Sequence, residues 1–190
     1  MSSPHKPSEL SILSGKYKGI KLKSPDLATT HPMGSREKLA LFNMLAPYLE
    51  GATVLDYFAG SGALGLEALS RGAASVTFIE NNPKAQKVIK ENLRRTSGIT
   101  PATAPWDAEG RRPTSQLARG QDQMLNLQYD IIISDPPYDN YQVPDYEKLL
   151  KKGGILALSH PKDFDSKAIT GLTLLKTHHY AACHISLFTK

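Results

Sequence analysis

The segment Asp56-Tyr-Phe-Ala-Gly-Ser-Gly-Ala-Leu-Gly65 has the residue types of a ligand-binding turn. It follows an apolar run that predicts a strand and opens a predicted helix, the context in which glycines let the backbone approach a nucleotide-like ligand. Asp56 lies four residues before Gly60, and a carboxylate at that place would repel a pyrophosphate. A zwitterionic, amino-acid-like ligand therefore fits this turn better than a dinucleotide. A merely tight strand-to-helix turn is the structural alternative.

A second acid, Glu80, ends the next predicted strand, 24 residues after Asp56. An acid at that place can accept hydrogen bonds from both ribose hydroxyls of an adenosine ligand. Asp107, beside Trp106, is a further candidate, for contact with an adenine amino group. Prolines and glycines interrupt any periodic pattern between residues 100 and 125, and we expect loops there.

The segment Ser134-Asp-Pro-Pro-Tyr138 ends another apolar strand, where a parallel sheet presents its ligand-binding crevice. Pro136 and Pro137 lack peptide hydrogens and stiffen the loop, so Asp135 and nearby carbonyls can be held in place. Such acceptors activate an exocyclic amine, which is otherwise a poor nucleophile because its lone pair is delocalised into the ring. Tyr138 would stack on a flipped or unstacked base, a contact worth about 1–3 kcal/mol.

These candidate residues require a sheet to position them, and the chain from residue 51 alternates short apolar strands with helical segments. Strands are predicted at 53–58, 75–80, 129–134 and 155–159, with two more between 172 and 188 that close the sheet in antiparallel fashion. Helices are predicted at 64–71 and after Asn82-Pro83, a cap followed by a first-turn proline. Gly153-Gly154 is interpreted as a break before a strand, and Ser35 as the cap of an earlier helix.

The N-terminal part of the chain concentrates its positive charge. Residues 1–40 carry seven Lys/Arg against three Asp/Glu, whereas the remainder carries 16 against 15. We expect residues 1–9 to be disordered and residues 10–34 to form a small β-hairpin. Its basic face would attract a polyanion through phosphate contacts. A solvated, flexible arm is the alternative. Residues 35–190 would form the main domain.

Composition restricts the class of protein. The 190 residues are enough for one domain with a sizeable core. No run of eighteen apolar residues occurs, and the first residues lack the apolar stretch of a secretory signal. We therefore expect a soluble, cytoplasmic protein with no membrane partner. Cys183 is the only cysteine, so it forms no intramolecular disulfide and offers no zinc-site spacing, and we expect no metal.

Together, the Asp-x-Phe-x-Gly-x-Gly and Asp-Pro-Pro-Tyr segments resemble the motifs of class I S-adenosylmethionine-dependent methyltransferases. Residues 58–72, Gly15-Lys-Tyr-Lys-Gly-Ile-Lys-Leu22 and Leu41-Phe-Asn43 are similar to the bacterial 16S ribosomal RNA guanine-2-amino methyltransferase family. The resemblance implies a Rossmann-like α/β fold with a mostly parallel seven-stranded sheet and an antiparallel C-terminal strand. It also implies methyl transfer from S-adenosylmethionine to the exocyclic amine of a guanine, with S-adenosylhomocysteine as product.

By that resemblance, the cofactor would be held by Asp56, Phe58, Gly60, Gly62, Glu80 and Asp107, and the target base by Asp135, Pro136, Pro137 and Tyr138. Ribosomal RNA, naked or in an assembled small subunit, would be bound by Lys16, Lys18, Lys21, Lys23, Arg36 and Lys38. The segment His31–Lys38 departs from the family's Arg-Pro-Thr-(Thr/Ser)-Asp-Arg-Val-Arg and shares only Pro32 and Arg36 with it. We expect a monomer.

Two other hypotheses stay open. A DNA amino-methyltransferase would use the same Pro-Pro-Tyr loop, although nothing after residue 43 is large enough to read duplex sequence. A ribosome-assembly factor without catalysis would keep the fold and the basic hairpin, although the acids, glycines and tyrosine of both motifs are present together. A dehydrogenase has no use for Asp-Pro-Pro-Tyr. Because transfer would be direct, Cys183 is not expected to act as a nucleophile, and it lies far in sequence from either motif.

Overall fold

The computed structural model describes residues 10–25, 33–97, 127–138, 143–181 and 183–190. The expectations for residues 1–9, His31-Pro32 and Asp107 lie outside these ranges. The strands are β1 Thr53–Tyr57, β2 Ser75–Ile79, β3 Tyr129–Ser134, β4 Leu150–His160, β5 Thr173–His179 and β6 His184–Thr189. The helices are α1 Ser35–Leu49, α2 Ala63–Ser70, α3 Pro83–Ser97 and the short α4 Tyr146–Leu149.

The six strands of the described residues form one sheet in the order β2-β1-β3-β4-β6-β5. Strands β1 to β4 run parallel, and β6 lies antiparallel between β4 and β5. The prediction of a Rossmann-like α/β fold with an antiparallel C-terminal strand is therefore confirmed. The predicted seventh strand is not among the six, and residues 98–126 lie outside the described part of the chain. No helix in that part is both long and apolar enough to cross a bilayer.

Apolar side chains cover both faces of the sheet because successive residues of a strand point to opposite sides. In β3, Ile131 and Ile133 face one core, whereas Ile132 faces the other. Helices α1, α2 and α3 contribute to the first core. The side chains that α1 buries there are Leu41, Phe42, Leu45 and Leu49. Helix α1 therefore packs on its own domain.

The beginnings of the helices test two of the predicted caps. Asn82 Oδ1 accepts a hydrogen bond from the Lys84 N–H at 2.9 Å, and α3 begins at Pro83, which confirms the predicted cap and first-turn proline. Helix α1 begins at Ser35 itself. Gly34 occupies its cap position and no side chain caps it, so the predicted role of Ser35 is wrong by one residue.

Strand β4 differs from its predicted bounds. It was expected to follow Gly153-Gly154, yet it begins at Leu150 and contains both glycines. Tyr129 pairs with Leu150 while Ile131 pairs with Ile155, so extra residues of β4 bulge out of the ladder. The first glycine of the pair has a φ of 76°, a conformation that glycine adopts at little cost. The glycine pair interrupts the pairing of the strands and not the strand itself.

Residues 10–25, here called the basic loop, contain a short antiparallel hairpin, in which the N–H groups of Ile12 and Leu22 donate to the carbonyls of Ile20 and Leu10 at 3.1 and 2.8 Å. The described residues contain one antiparallel bridge within this loop, between Ser11 and Lys21. The N–H groups of Leu13, Ser14 and Lys16 instead donate to groups on α2. Because these donors are used by the helix, they do not extend a ladder within the loop.

Candidate active site

The register of the parallel strands brings the predicted site residues to one edge of the sheet. Tyr57 of β1 pairs with Ile79 of β2 and with Ser134 of β3, and Ser134 pairs with Leu158 of β4. The residues that come next in each chain segment therefore meet at the carboxyl ends of the strands, where ligands bind in open α/β sheets. Those residues are Phe58, Glu80, Asp135 and Ser159.

The turn after β1 has an unusual backbone conformation. Phe58, Gly60 and Gly62 have φ angles of 68°, 54° and 77°, and a positive φ is rare for a bulky residue such as Phe58. A Cβ on Gly60 would meet nothing within 4 Å, so its side faces open space that a ligand can enter. A Cβ on Gly65 would lie 2.4 Å from the ring of Phe78. Gly65 therefore serves the packing of α2 on β2 and not ligand contact.

Asp56 lies beneath this turn. Its side chain is 1% exposed, and its Oδ2 accepts a hydrogen bond from the Gly65 N–H at 2.8 Å. The pKa of Asp56 is raised to about 7, mainly by burial and to a smaller extent by the negative charges of Asp135 and Glu80, against the lowering effect of the Gly65 hydrogen bond. The Asp56 carboxylate thus fixes the start of α2 through the Gly65 N–H, and when ionised it contributes negative charge to the site.

Glu80 is fixed by the backbone on both sides of it. Its Oε2 accepts from the Gly60 N–H and its Oε1 from the Asn82 N–H, both at 2.7 Å. Gln86 Nε2 donates to the Glu80 carbonyl at 2.6 Å. The side chain remains partly exposed, and each carboxylate oxygen can accept more than one hydrogen bond. Glu80 therefore has acceptor capacity left for a ligand hydroxyl.

Asp135 and Tyr138 are joined by a residue that the sequence did not single out, Ser159. Burial raises the pKa of Asp135 to about 6, against the lowering effect of a hydrogen bond from Ser159. The distance between Tyr138 Oη and Ser159 Oγ is 2.6 Å. Because an ionised Asp135 can only accept, the single hydroxyl hydrogen of Ser159 goes to it and Tyr138 donates to Ser159. Tyr138 is 39% exposed, so its side chain is anchored at the hydroxyl and remains accessible to a ligand.

The electrostatics of this edge favour a cationic ligand. The negative charges of Asp135 and Glu80 contribute to the raised pKa of Asp56, although burial is the larger cause. A ligand with a sulfonium and an ammonium group would relieve this repulsion, whereas a pyrophosphate would add to it. The residues present therefore fit S-adenosylmethionine. The described residues contain no group of three His, Cys, Asp or Glu side chains that could hold a metal ion.

The basic loop is attached to the site by buried polar groups of α2. Glu67 is 0% exposed, and its carboxylate accepts from the N–H groups of Leu13 and Ser14 at 2.7 and 3.0 Å. It also pairs with Arg71 Nε at 2.8 Å and with Lys38 Nζ at 3.7 Å. Glu67 therefore neutralises the buried Lys38 and the partly buried Arg71, and it fixes the loop backbone with the same side chain.

The position of Lys38 corrects its predicted role. It was expected to contact RNA, but it is 2% exposed and donates to the Ser11 carbonyl at 2.6 Å. Burial lowers the pKa of Lys38, against the raising effect of Glu67. Its charge is used inside the protein. Lys16, Lys18, Lys21, Lys23 and Arg36 are exposed, so their predicted RNA contacts stay predictions.

Further contacts hold the basic loop along α2 as far as the turn after β1, residues 58–62, here called the glycine turn. The Lys16 N–H donates to the Ser70 carbonyl at 2.7 Å, and a Cβ on Gly15 would lie 1.8 Å from that same oxygen. At the other end of the loop, Asn92 of α3 bonds both the N–H and the carbonyl of Lys23, at 2.8 and 2.9 Å. It also donates to the Ser61 carbonyl in the glycine turn at 3.0 Å.

Replacing Glu67 by glutamine is expected to lower the free energy of unfolding by about 2 kcal/mol, because the Lys38 ammonium and the Arg71 guanidinium lose a buried charged acceptor. Urea unfolding would measure this change. Glu147→Gln, at an exposed position, is the control and should cost less than about 0.5 kcal/mol. Equal stabilities of the two variants would contradict the anchoring role of Glu67.

The structure thus adds three residues to the predicted site region: Glu67, Ser159 and Cys183. The Cys183 thiol lies close enough to Tyr138 to act on its hydroxyl, although the two are 45 positions apart in sequence. For Glu67, the sequence offers one indication of a special role, which is that an acid stands among the apolar residues of α2. No local pattern marks Ser159 or Cys183, because their importance comes from contacts between β4, the segment before β6 and the loop after β3.

The strand order, the glycine turn and the Asp-Pro-Pro-Tyr loop define the class: a Rossmann-like α/β protein of the class I methyltransferase type. The model of a family described as Conserved hypothetical protein 95 matches residues 10–189, and the chain belongs to that family. The chain is 35% identical to Ribosomal RNA small subunit methyltransferase D of Escherichia coli (strain K12) over 149 residues, which cover 78% of this chain and 70% of that protein. These matches confirm the resemblance found in the sequence.

Solved structures agree with the fold. A hypothetical protein of Thermus thermophilus superposes with a TM-score of 0.71 at 30% identity, over 93% of this chain and 97% of that one. A more remote structure, the T. thermophilus 16S rRNA N2 G1207 methyltransferase in complex with AdoMet and guanosine, has a TM-score of 0.59 at 19% identity. That alignment covers 87% of this chain and 44% of the other, and it shows the shared fold alone.

Proposed function

We propose that this chain transfers a methyl group from S-adenosylmethionine to the exocyclic amine of a guanine in 16S ribosomal RNA. The observation that carries the proposal is the meeting of three carboxylates, Asp56, Glu80 and Asp135, with the glycine turn and the anchored ring of Tyr138. The acids suit a cationic donor, and the loop after β3 suits a planar amine. Membership of the family and the named relative support the choice of ribosomal RNA.

On the cofactor side, the glycine turn would receive the methionine part of the cofactor. Gly60 offers open space there, and Asp56 supplies negative charge from beneath while it holds the Gly65 N–H. Glu80 would accept from the ribose hydroxyls with the lone pairs that Gly60 and Asn82 leave free. Phe58 and Gly62 would maintain the shape of the turn.

On the base side, the chain positions the amine and receives its proton. When bound, S-adenosylmethionine would supply an electrophilic methyl group to the lone pair of the amine, with the C–S electron pair returning to sulfur. Asp135 would accept a hydrogen bond from the amine and then its proton, and Tyr138 would stack on the base. Pro136 and Pro137 stiffen the loop that carries both side chains. No covalent bond to the protein is needed, and positioning and electrostatics provide the acceleration.

We further propose that the protein acts as a cytoplasmic monomer, on naked RNA or on the assembled small subunit. Calorimetric titration with S-adenosylmethionine, followed by tritium-methyl transfer to 16S RNA and to 30S particles from cells lacking the protein, tests both steps. Incorporation into a mapped guanine is the expected result. Cofactor binding without transfer to any RNA or DNA would favour the assembly-factor hypothesis, transfer to DNA alone would favour the DNA enzyme, and no binding would overturn the cofactor assignment.

A further inference from the structure

Helix α3 carries a second concentration of positive charge, outside the N-terminal segment. Its fifteen residues contain five cations and one acid, Glu91. Outside α3, residues 41–190 carry 11 Lys/Arg against 14 Asp/Glu, so that part of the chain is net negative. The five cations of α3 are all exposed: Lys84, Lys87, Lys90, Arg94 and Arg95.

The stability of the helix does not account for this distribution. Cations in the last turn, such as Arg94 and Arg95, interact favourably with the helix dipole. Lys84 lies in the first turn, where the dipole disfavours a cation, and the first turn contains no acid. A role in helix stability would explain one end of α3 only, whereas a ligand with many negative charges explains both ends.

The basic loop and α3 form one continuous structure. Arg95 Nη1 donates to the Lys21 carbonyl at 3.1 Å, and Lys23 Nζ lies 2.6 Å from Glu91 Oε2. Asn92 joins the Lys23 backbone to the Ser61 carbonyl of the glycine turn. The single acid of α3 is thus paired with the basic loop, and both basic segments are held at a fixed place relative to the glycine turn.

We propose that α3 and the basic loop together form one surface that binds the phosphate backbone of the substrate RNA. This proposal rests on the function proposed above and extends the RNA contact from the loop to the helix. Lys87, Lys90 and Arg94 are spaced at i, i+3 and i+7, so they lie in a row about 10 Å long on the helix. Helical RNA is recognised mainly through its shape and its phosphate and sugar groups, which suits exposed lysines.

The choice of RNA over an acidic protein or an anionic membrane follows from the connection to the glycine turn. The same side chain of Asn92 contacts the basic loop and the Ser61 carbonyl. A polyanion bound along α3 is therefore held beside the site where the methyl donor is expected. A substrate benefits from this arrangement, whereas a membrane or an unrelated protein gains nothing from it.

The test compares two triple variants of the full chain with the same change in charge. The first is Lys87→Gln, Lys90→Gln and Arg94→Gln, and the matched control is Lys162→Gln, Lys167→Gln and Lys176→Gln. The control residues are exposed. Lys162 and Lys167 lie between β4 and β5, and Lys176 lies on β5, at the sheet edge opposite β2. Gln has a helix propensity close to those of Lys and Arg, so α3 should stay folded. Binding of transcribed 16S RNA is measured across a range of salt concentrations.

The α3 variant is expected to bind RNA at least tenfold more weakly at about 0.1 M salt, with a salt slope smaller by about two to three. The control variant should match the parent in RNA affinity and in salt slope. Both triple variants should bind S-adenosylmethionine as the parent does. An unchanged affinity and slope for the α3 variant would overturn this proposal, even where methyl transfer by the parent upholds the proposed function. If the α3 variant bound RNA as the parent does but no longer bound phosphatidylglycerol vesicles that the parent binds, the proposal would be overturned in favour of a membrane-binding surface.

Discussion

Replacing Asp135 by alanine is expected to lower the rate of methyl transfer by about a thousandfold, with S-adenosylmethionine affinity within a few-fold of the parent. The variant loses the acceptor that orients the amine and takes its proton, while Asp56 and Glu80 and the glycine turn are left in place. Single-turnover transfer to 16S RNA measures the rate, and calorimetry measures the affinity. Asp163→Ala, an exposed acid after β4, is the control. Full turnover by Asp135→Ala would show that the assignment of roles is wrong.

The raised pKa of Asp135 predicts that the rate of methyl transfer depends on pH. Burial raises the pKa of Asp135 to about 6, so the carboxylate form predominates only above that pH. Transfer by the parent should fall about tenfold per pH unit below about 6, and Asp135→Asn should show no such inflection. The folded pKa lies above the value of about 3.9 for unfolded aspartate, so the folded state binds the proton more tightly. Protonation of Asp135 therefore stabilises the folded state as the pH falls through about 6. The expected loss of methyl transfer below that pH cannot be explained by unfolding that this protonation causes.

Replacing Asp56 by alanine is expected to weaken S-adenosylmethionine binding by about a hundredfold or more. The substitution removes a buried negative charge and leaves the Gly65 N–H without its acceptor. Asp56→Asn separates the two effects, because it keeps an acceptor for Gly65 and loses only the charge. We expect the asparagine variant to bind the cofactor about tenfold more weakly, an intermediate result. Calorimetric titration of both variants is the measurement.

The charge of Asp56 can also be tested by pH. Burial raises the pKa of Asp56 to about 7, and a cationic cofactor favours the ionised form. The affinity of the parent should therefore rise as the pH increases through about 7, with a proton released on binding. Asp56→Asn should lack this dependence. An equal pH dependence in both proteins would assign the titration to another group, and parent-like affinity in the alanine variant would remove Asp56 from the cofactor site.

The sequence predicted most of the fold because its signals are local. Strand β3 has its predicted bounds, Tyr129–Ser134, since an unbroken apolar run is typical of a strand buried on both faces. Helix α3 begins at Pro83 as predicted, since Asn82 and the proline satisfy the first turn without distant help. The Gly153-Gly154 prediction failed in its boundary because the pairing of β4 with β3, and not the glycines alone, determines where a strand begins.

The candidate site was predicted in part for the same reason. Asp56, Glu80 and Asp135 each lie at the end of a strand, and parallel strands present their carboxyl ends at one edge. Their convergence follows from the motifs and the fold class alone. Asp107 and His31-Pro32 lie outside the described residues, so their predicted roles stay predictions.

Thus the residue types, the strand ends and the glycine turn of the site were determined by the sequence itself, through patterns local in the chain. The tertiary structure alone decided which polar groups became internal partners. Lys38 is buried because the basic loop and α2 enclose it beside Glu67, although its sequence neighbours are those of an exposed basic residue. Ser159 matters because the pairing of β3 with β4 sets it beside Asp135. Burial and hydrogen bonding depend on segments distant in sequence, and no local periodicity records which of those segments will meet.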